Sequence, residues 1–181
     1  WSDPVSVGSE RWMIQGCPVN GPAMTSDRRL IVLAYYTQLP SGEGSVKYVV
    51  SRNGGRSFGF SSVMAGGPDC LGRVSVAFLP DHGPAVISWL ERDGDEAVWK
   101  ARALPRQGKR GPEVEIARVR GSRQDGFLQL ATGPMGVVAA WTGDDGKSVK
   151  TARLRLWQEM EAEMEAVGPE GPADPEAPAE E

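Results

Sequence analysis

Apolar and polar residues alternate along this chain in short runs, and the runs recur. Leu33-Ala34-Tyr35-Tyr36-Thr37, Val86-Ile87-Ser88-Trp89-Leu90 and Val138-Ala139-Ala140-Trp141-Thr142 share one pattern, with Tyr36, Trp89 and Trp141 spaced 53 and 52 residues apart. Each run predicts a strand rich in β-branched and aromatic side chains. Behind each comes a polar loop and a further strand-like run, starting near Val46, Ala97 and Val149. Ahead of each comes an apolar run closed by turn residues. These are Gly21 to Met24 with Thr25-Ser26-Asp27, Val74 to Leu79 with Pro80-Asp81-His82-Gly83, and Phe127 to Ala131 with Thr132-Gly133-Pro134. A fourth strand is legible twice, at Gly59 to Met64 and at Glu113 to Val119.

The unit is therefore strand, tight turn, strand, loop, strand, with a fourth strand in two copies. Short strands, Gly- and Pro-rich turns and no long amphipathic helix predict an all-β fold. Three units in register at this period are the signature of β-propeller blades; a β-sandwich is the alternative, and it would not require the register. Trp1-Ser2-Asp3-Pro4-Val5-Ser6-Val7 is expected to be the fourth strand of a preceding unit. With Trp1 in place of a Met, the chain is expected to begin inside a longer product. The blades are expected over residues 1–156.

Composition then changes. Residues 1–157 hold 20 Lys and Arg against 15 Asp and Glu, whereas Gln158 to Glu181 hold eight Glu, one Asp and no base. The overall charge of −4 thus combines a mildly basic body with a tail of −9. Residues 157–181 are expected to form an acidic Pro/Glu/Ala-rich tail with too little apolar surface to order itself. Without a dense basic stripe, nucleic acid is not an expected partner. Without a run of 18 apolar residues, no membrane-spanning helix is expected. The single histidine, His82, and the two cysteines, Cys17 and Cys70, lack metal-ligand spacing, so neither a zinc site nor another cofactor is expected. His82 sits in a turn, where solvation is its ordinary fate, and Glu91 and Asp93 are expected in a solvated loop. Trp12 precedes the first inner strand and would either stack on a sugar or cap the core.

Ser51-Arg52-Asn53-Gly54-Gly55-Arg56-Ser57-Phe58, between the third and fourth strands of the first unit, resembles the Asp-box S-x-D-x-G-x-T-W of sialidases and BNR-repeat proteins. Asn53 stands for Asp, Ser57 for Thr and Phe58 for Trp. Trp1 would be the last residue of another such box. Gly16 to Ala23 and Cys70 to Val76 also look like a bacterial sialidase-like group. The resemblance implies a six-bladed propeller of which these units are the C-terminal half, in an exported parent. It implies a structural role for Ser51, Asn53, Gly55, Ser57 and Phe58, on the face opposite the active site.

Such sialidases pair a Tyr nucleophile with Glu, use an Asp acid/base and clamp the substrate carboxylate with three Arg. Here the tyrosines are Tyr35, Tyr36 and Tyr48, all in the first unit, and the third unit has none. The complete catalytic set cannot be assembled from this chain. Counting back 16 residues from Tyr36, Trp89 and Trp141 gives Asn20, Arg73 and Asp125, with Arg123 just ahead. In a propeller these positions surround the channel. Asn20, Arg73, Arg123 and Asp125 would form a polar ligand site there, or would satisfy one another and water. Cys17 and Cys70 each stand three residues before a channel position. Loops leaning inward would let them form a disulfide; otherwise they are two buried thiols.

Three function classes follow. The chain is expected to be a propeller fragment that binds glycan or another partner without catalysis. The alternatives are a fragment of an exo-acting glycoside hydrolase, or a structural scaffold. The missing N-terminal blades, or self-association, would cover its end faces.

Overall fold

A computed structural model of the chain describes residues 2–8, 20–107, 109–122 and 126–154. Those residues form an all-β structure of three antiparallel sheets, with no helix among them. The first sheet contains β1 (Ala23–Asp27), β2 (Leu30–Gln38), β3 (Gly44–Ser51) and β4 (Ser62–Gly67). β5 (Cys70–Phe78), β6 (Ala85–Asp93), β7 (Glu96–Leu104) and β8 (Glu113–Val119) make the second. β9 (Gln129–Gly133), β10 (Gly136–Thr142) and β11 (Val149–Leu154) make the third. In every sheet, strands neighbour one another in chain order.

The repeat holds at the level of register. Tyr36, Trp89 and Trp141 all lie on the second strand of their sheets and face the third strand at Val46, Lys100 and Lys150. β5 packs against β1, β2 and β3 on one side and against β9 on the other. The middle sheet is thus covered on both faces. Val74, Val76, Phe78, Ala85, Ile87 and Trp89 pack with Val32, Ala34, Val46 and Met64 of the first sheet. The opposite face of β5 and β6 supplies Ala77 and Val86, which meet Val137 and Leu154, and Leu90, which meets Trp141 and Ala139. Burial on both faces explains why β5 and β6 read as near-continuous apolar runs rather than as alternation.

Polar groups tie the inner strands together. Leu130 donates its backbone N–H to Ser75 Oγ at 3.0 Å, and Thr132 Oγ1 donates to the Phe78 carbonyl at 2.7 Å. On the first-sheet side, Arg102 Nη1 donates to the Met64 carbonyl at 3.3 Å.

Several boundaries differ from the sequence expectation. The first inner strand continues through Thr25, Ser26 and Asp27, which pair with Val32, Ile31 and Leu30, so the turn is Arg28-Arg29. The third inner strand likewise runs to Gly133, leaving Pro134-Met135 as its turn. The polar residues expected to turn instead occupy the ladder, because the strand's backbone partners outweigh their turn preference. β4 starts at Ser62, not Gly59. Ser2 to Gly8 carry no strand; Pro4 offers no N–H to a ladder, and among the described residues no strand pairs with them. Trp1, Trp12 and residues 157–181 lie outside the described residues.

No helix among the described residues is long and apolar enough to cross a membrane.

Candidate functional site

The entry ends of the first two sheets meet at Asn20. Its Oδ1 accepts the Arg73 backbone N–H at 2.6 Å, and its Nδ2 donates to the Leu71 carbonyl at 3.2 Å. These two positions, one repeat apart in the chain, are therefore bonded across the gap between sheets. The backbone is unusual here: Gly72 has φ of 78° and Arg73 has φ of 53°. A Cβ on Gly72 would lie 2.6 Å from the Tyr36 ring and 2.7 Å from Asn20 Oδ1. Only glycine fits that close approach with a left-handed backbone.

The Arg73 side chain spans to the third sheet's entry loop. Its Nη1 donates to the carbonyls of Ser122 and Gly126, each at 3.1 Å. Its guanidinium carbon lies 5.8 Å from the centroid of Phe127, a ring that is 45% exposed. Phe127 thus presents an apolar face beside an oriented guanidinium. Sequence reading placed Phe127 in a strand and missed this; its exposure results from β9 starting later, at Gln129. Arg123 and Asp125 lie outside the described residues, as does Cys17.

Cys70 is a buried free thiol at the same end. Burial pushes its ionisation up. Tyr36 moves the same way, through burial first and the neighbouring Cys70 second.

The Ser51–Phe58 turn is organised by two side chains. Ser51 Oγ accepts the Gly55 N–H at 2.9 Å and donates to Asn53 Oδ1 at 3.0 Å. Asn53 Oδ1 also accepts the Ser57 N–H at 3.0 Å, and Asn53 Nδ2 donates to Ser57 Oγ at 2.8 Å. Gly54 and Gly55 hold φ of 72° and 86°, and Phe58 is half-buried. Side-chain oxygens of this kind substitute for a backbone turn. This turn lies at the opposite end of the first sheet from Asn20, beside the Arg28-Arg29 turn: Gly54 donates its N–H to the Arg29 carbonyl at 2.9 Å.

Two other residues occupy places that differ from expectation. Glu91 is not in a solvated loop: it belongs to β6, accepts the Trp89 indole N–H at 2.7 Å and pairs with Lys100. Trp89 is fully buried and needs that acceptor. Asp93 is likewise not in a loop: it is the last residue of β6, exposed and paired with Arg118 at 2.7 Å. His82 is in an exposed turn, as expected, with Nδ1 2.8 Å from Asp27 Oδ2.

Compared with protein-family models, curated proteins and solved structures, the chain gives no significant match.

Proposed function

We propose that the three sheets are consecutive blades of a sialidase-like β-propeller and that the chain binds a glycan, or a similar polar ligand, where Asn20, Arg73 and Phe127 meet, without cleaving it. The observation that carries this reading is the Asn20–Arg73 hydrogen bond. It joins residues 53 positions apart, the repeat spacing, one three residues ahead of β1 and the other at a left-handed bend within β5. Strand order, the shared register of Tyr36, Trp89 and Trp141, and the succession β1, β5, β9 all support blades in sequence. The Ser51–Phe58 turn supports the sialidase-like type, because its hydrogen bonds are those an Asp-box would need.

A sugar ring has apolar C–H faces and hydroxyl edges. Phe127 offers a face for stacking, while the second lone pair of Asn20 Oδ1 and the second N–H of its Nδ2, beyond the bonds to Arg73 and Leu71, offer a hydrogen-bonding edge. Binding without cleavage is the reading the tyrosines support: Tyr35, Tyr36 and Tyr48 all lie in the first unit, and the third unit has none to serve as a nucleophile. Closed propellers have four to eight blades, so three need company. The outward face of the first sheet carries Leu33, Tyr35 and Met24, the last 63% exposed; that of the third carries Val138 and Val149, the latter 75% exposed. Further blades, or a second copy, would cover them.

The test is a glycan array, followed by titration of the best saccharide into wild-type chain and Phe127→Ala. Binding that falls about tenfold in the variant, the scale of one lost stacking contact, is the expected result. No bound saccharide, or binding indifferent to Phe127, would overturn the proposal. Release of fluorophore from a fluorogenic sialoside would instead favour the hydrolase.

A further inference from the structure

The end of the molecule opposite Asn20 holds an open concavity. Asp27, Arg28, Arg29, Arg52, His82 and Arg106 line a space of about 420 Å³. They come from four stretches of chain: the β1–β2 turn, the Ser51–Phe58 turn, the Pro80–Gly83 turn and the segment after β7. Four arginines and one carboxylate thus share the space, and Arg106 pairs with that carboxylate.

That carboxylate is already engaged. Asp27 contacts His82 Nδ1 and Arg106 Nη2. Arg106 Nε donates to the His82 carbonyl at 2.7 Å, and Arg52 Nη2 donates to the Arg106 carbonyl at 3.3 Å. Arg28 and Arg29 are exposed, and their guanidinium groups make no hydrogen bond or ion pair among the described residues. Several cations held around one concavity repel one another, and an incoming anion relieves that repulsion. The planar guanidinium fork matches the oxygens of a phosphate or sulfate.

A cleft of about 320 Å³, lined in part by apolar side chains, adjoins this space. Val32, Val50, Phe78 and Leu104 contribute to its walls, and Leu30, Arg52 and Arg106 belong to both spaces. A ligand that fills both must be an anion joined to an apolar body.

We propose that this end binds a phosphate or sulfate monoester of an apolar or aromatic alcohol, with the oxyanion among Arg28, Arg29 and Arg52 and the organic group in the cleft. The site is separate from the Asn20–Arg73–Phe127 end and does not depend on it.

Isothermal titration of the full chain with phenyl phosphate, phenyl sulfate and inorganic phosphate tests the assignment. Phenyl phosphate is expected to bind about tenfold more tightly than inorganic phosphate, from burial of part of the ring. Arg28→Ala combined with Arg29→Ala is expected to weaken it at least about tenfold. Both residues are exposed, so an unchanged thermal midpoint checks that the fold survives. A preference for phenyl phosphate over phenyl sulfate would identify a phosphate ester as the ligand, and the reverse a sulfate ester; either supports the site. No binding of either ester, equal affinity for phenyl and inorganic phosphate, or affinity unchanged in the double variant would each overturn it.

Discussion

Replacing Asn20 by Ala removes both sides of the bridge between the first two sheets. The Arg73 N–H and the Leu71 carbonyl lose partners at 2.6 and 3.2 Å, in a partly buried setting. A hydrogen bond of this kind contributes about 1 kcal/mol net, and an amide left unpaired away from water costs about 1–3 kcal/mol. Because this end is only partly buried, water recovers some of that, and the expected loss is about 2 kcal/mol. For a domain of this size that lowers Tm by about 4–8 °C. Asn20→Asp keeps the acceptor for the Arg73 N–H, now charge-assisted, and turns the donation to Leu71 into an oxygen–oxygen contact that the partly exposed carboxylate can relieve toward water, so it should cost about 1 kcal/mol. The prediction is thus an order: wild type, then Asn20→Asp, then Asn20→Ala. Urea unfolding followed by tryptophan fluorescence measures it, with the denaturant slope held equal as the check on two-state behaviour. An Asn20→Ala protein within about 0.3 kcal/mol of wild type would refute the bridge as a structural element. So would an Asn20→Asp protein as unstable as Asn20→Ala.

Three further outcomes follow from the same structure. Ser75→Ala should destabilise by about 1–2 kcal/mol, because the Leu130 N–H loses its acceptor, whereas Ser88→Ala should be neutral or stabilising, since the buried Ser88 hydroxyl has no partner among the described residues; equal costs in urea unfolding would contradict this. At Lys100, burial opposes the charge, but Glu113 and Glu91 outweigh it and raise its ionisation. Its stabilising contribution is therefore complete below the unfolded value of about 10.4 and is lost as pH rises through the higher folded value; Lys100→Met should remove that alkaline slope from a Tm–pH profile. Asp145 accepts the Ser148 and Lys147 N–H groups and the Ser148 hydroxyl, which hold its carboxyl at about 2. Its contribution is complete above the ordinary Asp range and disappears as pH falls through about 2, so Asp145→Ala should flatten that acid limb.

The strands were legible because their signal is local. Tyr36, Trp89 and Trp141 mark the second strand of each sheet, and side-chain alternation around them sets the register. The Asn20–Arg73 pair was legible only through that repeat: counting from the aromatics found both residues, which the structure bonds together. Strand ends were less legible. Thr25, Ser26 and Asp27 have turn chemistry, yet pairing with β2 holds them in the ladder. Glu91 misled for a related reason: Trp89, two residues earlier, was legible, but not that its indole is buried and takes Glu91 as acceptor, nor that Lys100 lies opposite on the next strand. Phe127 and the Arg-lined concavity were not legible at all. The first depends on where β9 starts, and the second on four separate stretches meeting at one end.

The central claim is that three meander sheets lie side by side in chain order, with β5 between β1 and β9. A nuclear Overhauser spectrum of the isotopically labelled chain tests it most directly. The account predicts cross-peaks between Ser75 Hβ and the Leu130 amide, and between the Asn20 side chain and the Arg73 amide. Intact cross-strand peaks within each sheet, with neither of those two present, would show the sheets arranged otherwise and contradict it.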